Sequence, residues 1–307
     1  MNKNNEDYNN SVLKHLLITV DKEDKQNYET HSWLAKIVRI PIMMILNILP
    51  KSFANAIFLV FSGLNGDTKT VFDSVTTHKA LEVMYTYPTR KKKGETSLSD
   101  DFWENFLSNA KAIRNRLILA EKELLKAMKE ISWTKNNIKL LSLGSGSARA
   151  IFEVIKNKPY FIQVKLIDMS QQAIENSKRL IQDLNLNREK IKIEFHKDYI
   201  QNLENHCKNF NPDIVEMVGL LDYFSKNQAI DLMKKIYKVL SPKGRLIICN
   251  VVPNLESPFI AKGINWPLIY RKPEEIAELL IKGGFSSENL ELKYEPLKIH
   301  CLAIAKK

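Results

Sequence analysis

Residues 138–150 read Ile-Lys-Leu-Leu-Ser-Leu-Gly-Ser-Gly-Ser-Ala-Arg-Ala, an apolar strand that runs directly into Gly144 and Gly146 and then into a helix. Glycine at such a junction lets the backbone approach a ligand at the carboxyl end of a strand. The next small residue narrows the ligand. A dinucleotide fingerprint, G-x-G-x-x-G/A, requires Gly or Ala at 149, where this chain has Arg149; its third small residue is Ala148. A nicotinamide oxidoreductase is therefore the least favoured reading.

From residue 136 onward, short apolar runs alternate with amphipathic ones. The pattern predicts strands at 138–143, 163–168, 191–195, 213–218 and 244–250, and helices at 147–157, 170–184, 226–239 and 273–283. Two closing strands are expected near 289–294 and 297–305. Strand–helix alternation implies a doubly wound parallel sheet, and two final strands with no helix between them imply an antiparallel hairpin at one edge. The expected architecture is α/β, a seven-stranded Rossmann-like sheet preceded by a helical N-terminal extension. Ligands of such sheets bind beyond the carboxyl ends of the strands. The strand ends therefore supply the candidates: Ser142, Gly144, Ser145 and Gly146; Asp168 and Met169; Asp198 and Tyr199; Gly219, Asp222 and Tyr223.

Five segments in order carry a resemblance over about residues 136–307: the G-x-G-x-A loop, Asp168 placed 24 residues after Gly144, Lys197-Asp198-Tyr199, Leu240-Ser241-Pro242-Lys243-Gly244, and Lys282-Gly283-Gly284-Phe285. Together they resemble class I S-adenosylmethionine (SAM) methyltransferases. The resemblance implies SAM as cofactor, with the glycine loop around its amino-acid end, Asp168 on the ribose hydroxyls, and Asp198 and the following N–H on the adenine. Tyr199 would pack on the adenine face, and the Gly219–Phe224 segment would lie under the methyl group. For Asp168 the alternative is a helix cap, a role open to Ser170; for Asp198 it is simple turn chemistry; Asp222 and Tyr223 could equally cap and pack the next helix. Ser142 departs from the pattern, because many members carry an acidic residue two positions before the first glycine.

The N-terminal half divides into a polar arm to about residue 30, with residues 1–10 expected to be disordered, and a helical zone over 31–135. No secretory signal peptide is visible, and a cytoplasmic location is expected. Residues 37–63 are the most apolar stretch, cut by Pro50-Lys51-Ser52 into two runs each too short to span a bilayer. The preferred expectation is buried helices; a membrane-touching or lipid-admitting pair is the alternative, and a true span the least favoured. Residues 101–131 read as one long amphipathic helix capped by Ser99 or Asp100. Asn109, Arg114 and Arg116 lie on its flanks. They are expected on a solvated face, the alternative being that one arginine reaches an anionic group in the cleft.

The net charge is +11, yet the only dense run, Arg90-Lys91-Lys92-Lys93, lacks interleaved aromatic residues, so nucleic acid is a partner not favoured. Cys207, Cys249 and Cys301 fit neither disulfide nor zinc spacing, and no metal is expected. No Asn-Pro-Pro-Tyr-type tetrapeptide follows the fourth strand. The Gly219–Phe224 segment and Asn265-Trp266-Pro267-Leu268-Ile269-Tyr270-Arg271-Lys272-Pro273-Glu274-Glu275 are similar to bacterial methyltransferases that form a methyl ester of a hydroxy fatty acid signal. That similarity implies Tyr270 and Arg271 at the substrate mouth, with Arg271 pairing a carboxylate; the alternative is that Arg271 only starts a helix. The reading is a SAM-dependent methyltransferase for a small-molecule or lipid-like acceptor, by O-methylation through in-line displacement. An RNA methyltransferase and a non-catalytic SAM-binding interaction protein are the alternatives. Steeply salt-dependent RNA binding would mark the first, and cellular function that survives Gly146→Arg and Asp168→Ala would mark the second.

Overall fold

The structure, a computed structural model, describes residues 16–22, 27–62, 66–156, 158–182, 184, 186–187 and 189–307. In chain order its main elements are β1 (Ile18–Val20), α1 (Trp33–Ile48), α2 (Lys51–Ser62), α3 (Asp67–Asp73), α4 (His78–Lys92), α5 (Leu98–Phe106), α6 (Ser108–Ser132) and β2 (Asn137–Leu143). There follow α7 (Arg149–Ile155), β3 (Phe161–Asp168), α8 (Gln171–Gln182), β4 (Ile191–Lys197), α9 (Leu203–Cys207), β5 (Ile214–Met217), α10 (Lys226–Val239) and β6 (Arg245–Val251). The chain closes with α11 (Ser257–Lys262), α12 (Pro273–Lys282), β7 (Leu290–Tyr294) and β8 (His300–Lys306).

β2 buries Ile138, Leu140, Leu141 and Leu143, which lie on both of its faces, the mark of a central parallel strand covered by helices on each side. The sheet order is β1-β7-β8-β6-β5-β2-β3-β4. From β2 the chain winds outward through β3 to β4, then returns to β5 on the other side of β2. This reversal opens a crevice at the carboxyl ends of β2 and β5. β8 runs antiparallel between β6 and β7, giving the expected terminal hairpin. Helices α6 and α7 pack one face, and α9, α10 and α12 the other.

All seven expected strands form, and an eighth joins them. Ile18–Val20, assigned by sequence to the polar arm, pairs in parallel with β7. The expectation of disorder at residues 1–10 lies outside the described residues. Residues 37–62 divide at Leu49-Pro50, with Lys51 and Ser52 already in α2. The expected burial holds for Met43 and Leu46 but not for Ile37, Val38, Met44, Ile45 and Ile48, which are exposed. No described helix is long and apolar enough to cross a membrane.

The expected single helix over 101–131 is two helices. Ser97, rather than Ser99 or Asp100, caps α5: its hydroxyl accepts the Asp100 N–H at 3.1 Å, while the Asp100 carboxylate accepts the Ser97 N–H at 3.0 Å. Leu107 then turns extended, which leaves the first N–H groups of α6 without helical acceptors. The Glu256 carboxylate, from far along the chain, accepts the N–H groups of Ser108 at 2.6 Å and Asn109 at 2.9 Å. It also pairs with Arg39 of α1, so one buried carboxylate joins α1, α6 and the start of α11.

A third core cluster lies above the crevice. Met43, Leu46, Phe58, Met84 and Trp103 from the N-terminal helices interlock there with Phe259, Ile260 and Trp266 from the segment after β6. The N-terminal helices thus form a roof over the carboxyl edge of the sheet.

Candidate active site

Under that roof lies a cavity of about 740 Å³. Its floor carries Gly144, Ser145, Gly146, Asp168, Asp198 and Gly219, and its roof Phe58, Val71, Met84, Trp103 and Ile113. The strand-end candidates from four different strands, β2, β3, β4 and β5, therefore meet in one space.

The glycine loop is fixed by its neighbours. The Gly144 N–H donates to the Ile167 carbonyl at 2.8 Å, and the Gly146 N–H donates to Asp168 Oδ2 at 2.8 Å. Gly144 has φ of +64°, and a Cβ there would stand 2.5 Å from Leu220 Cδ2. Both the conformation and the close approach of the strand ends require glycine. Asp168 also accepts the Ser170 N–H at 2.8 Å, while the Ser170 hydroxyl, accepting the Ala173 N–H at 3.2 Å, supplies the helix cap. Each Asp168 oxygen keeps a lone pair for the cavity.

Asp198 is engaged in turn chemistry: its Oδ1 accepts from the Tyr199 N–H at 2.7 Å and Asn202 at 2.8 Å, and its Oδ2 meets His206 Nε2 at 2.8 Å. The bonds from His206 and Asn202 hold its carboxyl below the usual carboxylate range. Met169 and Tyr199 are exposed at the cavity rim.

Ser142 is placed differently from the expectation. It is fully buried, is absent from the cavity wall, and donates to Glu216 Oε2 at 2.6 Å. The two residues face each other across β2 and β5. Glu216 does line the cavity; its Oε1 accepts the Val218 N–H at 2.9 Å, and burial pushes its carboxyl up to about 7. The neighbouring strand thus carries the acid that the glycine loop lacks. Its signal was a charged residue flanked by apolar ones in the run Ile214–Val218.

Asp222 and Tyr223 both line the cavity. Asp222 accepts the Val251 N–H at 2.7 Å, and burial pushes its carboxyl up to about 6. The Tyr223 hydroxyl accepts from Trp266 Nε1 at 2.7 Å, and burial pushes it up to about 12. Tyr270 and Arg271, expected at the substrate mouth, are not among the residues that line the cavity. Arg271 is buried and donates to the Leu221 carbonyl at 3.0 Å, to Asn250 Oδ1 at 2.8 Å and to the Phe224 carbonyl. It clamps the turn that carries Asp222 rather than facing a ligand.

The expectation of a solvated face for Asn109, Arg114 and Arg116 also fails, because all three are buried. Arg114 is held by Glu104 and Glu29. Arg116, two residues on, points into the cavity beside Gly219, where a Cβ would stand 3.3 Å from its guanidinium. Its Nη2 donates to the Tyr85 hydroxyl at 2.8 Å; its Nε has no partner, and no described carboxylate lies within 4.0 Å of it. Nearby, His300 Nε2 and Trp103 Nε1 are also buried and unpartnered on the cavity wall. Burial and Arg116 drive the His300 imidazole well below its ordinary value, so it is neutral. Arg149, which excluded dinucleotides, pairs with Glu82 at 2.7 Å and ties α7 to the roof helix α4. Among the described residues, no three His, Cys, Asp or Glu side chains gather as a metal-binding group.

A family model described as a methyltransferase domain matches residues 134–292, just over half of the chain. No curated protein matches the sequence. Among solved structures, one described as a possible exported protein from Bordetella parapertussis is similar, with a TM-score of 0.62 and 14% identity, over 91% of this chain and 99% of its own. The apo form of the SAM-dependent methyltransferase SibL has a TM-score of 0.51 and 13% identity, over 78% of this chain and 68% of its own. The CurJ carbon methyltransferase has a TM-score of 0.52 and 13% identity, over 78% of this chain and 66% of its own. At such identities the shared property is the fold. The glycine loop at the switch of a doubly wound sheet and the matched family model agree, and the chain belongs to the methyltransferase-domain family. It is a class I SAM-dependent methyltransferase.

Proposed function

We propose that this enzyme O-methylates an apolar, small-molecule or lipid-like acceptor that presents an oxyanion, such as a carboxylate or phenolate. The observation that carries this reading is Arg116, a residue only 3% exposed, in a largely apolar chamber where, among the described residues, it has one hydrogen bond and no carboxylate within 4.0 Å. Asp222 and Glu216 act on it through the cavity without contact, and a buried charge with no counter-ion in contact is costly. A ligand anion offsets that cost and would be oriented by the planar guanidinium.

The cradle fits SAM. The Gly144–Gly146 backbone would hold its amino-acid end, Glu216 would face its ammonium group in place of the missing acid on β2, and Asp168 would accept from the ribose. Asp198 and the rim residues Met169 and Tyr199 would flank the adenine. Bound there, SAM supplies an electrophilic methyl group. The protein's part is to hold the acceptor oxygen in line, desolvate it under the roof helices and exclude water. A carboxylate needs no general base. With a protonated phenol, the Asp222 carboxylate would receive the proton. The basic run at 90–93 does not favour RNA, because Arg90 pairs with Asp67 and Lys91 with Asp101.

The test is calorimetric titration with SAM and S-adenosylhomocysteine, followed by label transfer from methyl-labelled SAM to a panel of long-chain carboxylates and phenols and their uncharged analogues. Label in an ester or ether of the anionic members is expected. Label only in uncharged, carbon or nitrogen acceptors overturns the O-methylation reading.

A further inference from the structure

α1 is packed the reverse of an ordinary surface helix. Met43 and Leu46 face the core, and Arg39 and Asn47 fasten the helix inward, through Glu256 and through the Leu255 carbonyl at 2.7 Å. The outward stripe is apolar: Leu34, Ile37, Val38, Met44, Ile45 and Ile48 are each 57–79% exposed. With the exposed Pro41 between Val38 and Met44, they recur at three- and four-residue steps and so form one continuous band. Trp33 opens the band at 68% exposure, and Phe53 of α2 extends it at 63%. Apolar bands of this extent mark interaction surfaces.

Charge indicates what covers it. From Thr30 to Gly66 the chain has no Asp or Glu; its charged residues are Lys36, Arg39 and Lys51. Arg39 is engaged inward, while Lys36 and Lys51 are exposed toward opposite ends of the band. Lys262, also exposed, donates to the Asn47 carbonyl at the Lys51 end. A second copy seated on this band by two-fold symmetry would set lysines against the same acid-free segment. An anionic bilayer surface satisfies both features, with the apolar stripe at the acyl boundary, Trp33 at its edge and lysines among the headgroups. The helix would lie in the interface plane, since no described helix is able to span.

We infer that α1 and the start of α2 form a monotopic docking face for an anionic lipid bilayer. The inner side of the same helix joins the core cluster containing Phe58, Ile260 and Trp266, three residues of the cavity wall. Docking would bring that wall to the membrane surface. The inference does not depend on which acceptor is methylated.

The test is co-sedimentation of the full chain with vesicles of phosphatidylcholine alone and of equimolar phosphatidylcholine and phosphatidylglycerol. The expected result is pelleting with the anionic vesicles, weakened by salt. Ile37→Gln combined with Ile45→Gln should weaken partitioning by at least about tenfold, with SAM affinity and melting temperature retained. Lys36→Ala should weaken it by about fivefold. Wild-type protein that stays in the supernatant with anionic vesicles overturns the inference. So does a concentration-dependent dimer, seen by light scattering and abolished by the same Ile variant without vesicle binding, since a second copy would then cover the face.

Discussion

Replacing Arg116 with Met should move stability and activity in opposite directions. The side chain is 3% exposed and has one protein hydrogen bond, to Tyr85. Loss of that bond costs about 1 kcal/mol. Removing a charge that has no described carboxylate in contact spares its desolvation cost, on the order of 1–4 kcal/mol, less the attraction it exerts on Asp222 and Glu216. The ligand-free variant should therefore be as stable as the parent or more stable, by roughly 0–3 kcal/mol. In catalysis the variant loses a charge-assisted contact with the acceptor anion, roughly 1.5–3 kcal/mol, or about 10- to 150-fold in kcat/KM. Urea unfolding of the ligand-free protein, SAM titration and steady-state methyl transfer read the three quantities separately. The reasoning is refuted if the variant is clearly less stable, which would make Arg116 a structural residue. It is also refuted if SAM affinity falls while acceptor KM holds, which would assign the guanidinium to the cofactor.

Three further outcomes follow from the site and its supports. Burial holds Glu216 at about 7, above its ordinary value near 4.5, so its contribution to ligand-free stability is full below the unfolded pKa and is lost as pH rises through about 7. Glu216→Gln should flatten that decline, on the order of 3 kcal/mol, and should remove a tightening of SAM binding between about pH 6 and about pH 8 in calorimetry. Glu256→Ala leaves Arg39 and the α6 N-terminus without their acceptor and should cost about 3–5 kcal/mol in urea unfolding, with the largest loss of hydrogen-exchange protection in α1 and the first turn of α6. Gly144→Ala forces a Cβ to 2.5 Å from Leu220 at a φ of +64°, and should destabilise by roughly 1–3 kcal/mol and abolish measurable SAM binding.

The sheet was readable because its signal is local. Seven apolar runs, with helices in four of the six gaps between them, specify a doubly wound order, and glycines at the first strand end place the crevice. What escaped depends on distant partners. The break at Leu107 leaves no mark in the apolar periodicity, since its compensation comes from Glu256, and a three-residue strand such as Ile18–Val20 is extended only because β7 offers it a ladder. Arg114 and Arg116 are equivalent in pattern; only the fold shows that Glu29 and Glu104 hold one while the other faces the cavity. Ser142 looked like a deficiency until the register set Glu216 opposite it. Arg271 looked like an anion receptor, and only the fold shows its Nη1 and Nη2 donating to the Leu221 and Phe224 carbonyls and the Asn250 amide oxygen.

The small strand at the start of the described chain has a consequence for solution behaviour. β7 lies between β8 and β1; without Ile18–Val20 its outer row of N–H and C=O groups would be open to pairing with another molecule. The three residues of β1 cover that row from Leu292 to Tyr294 while offering little edge of their own. Trimming the chain past Val20 would leave the catalytic floor in place but expose a sticky sheet margin, so the segment protects against self-association at a position remote from the chemistry.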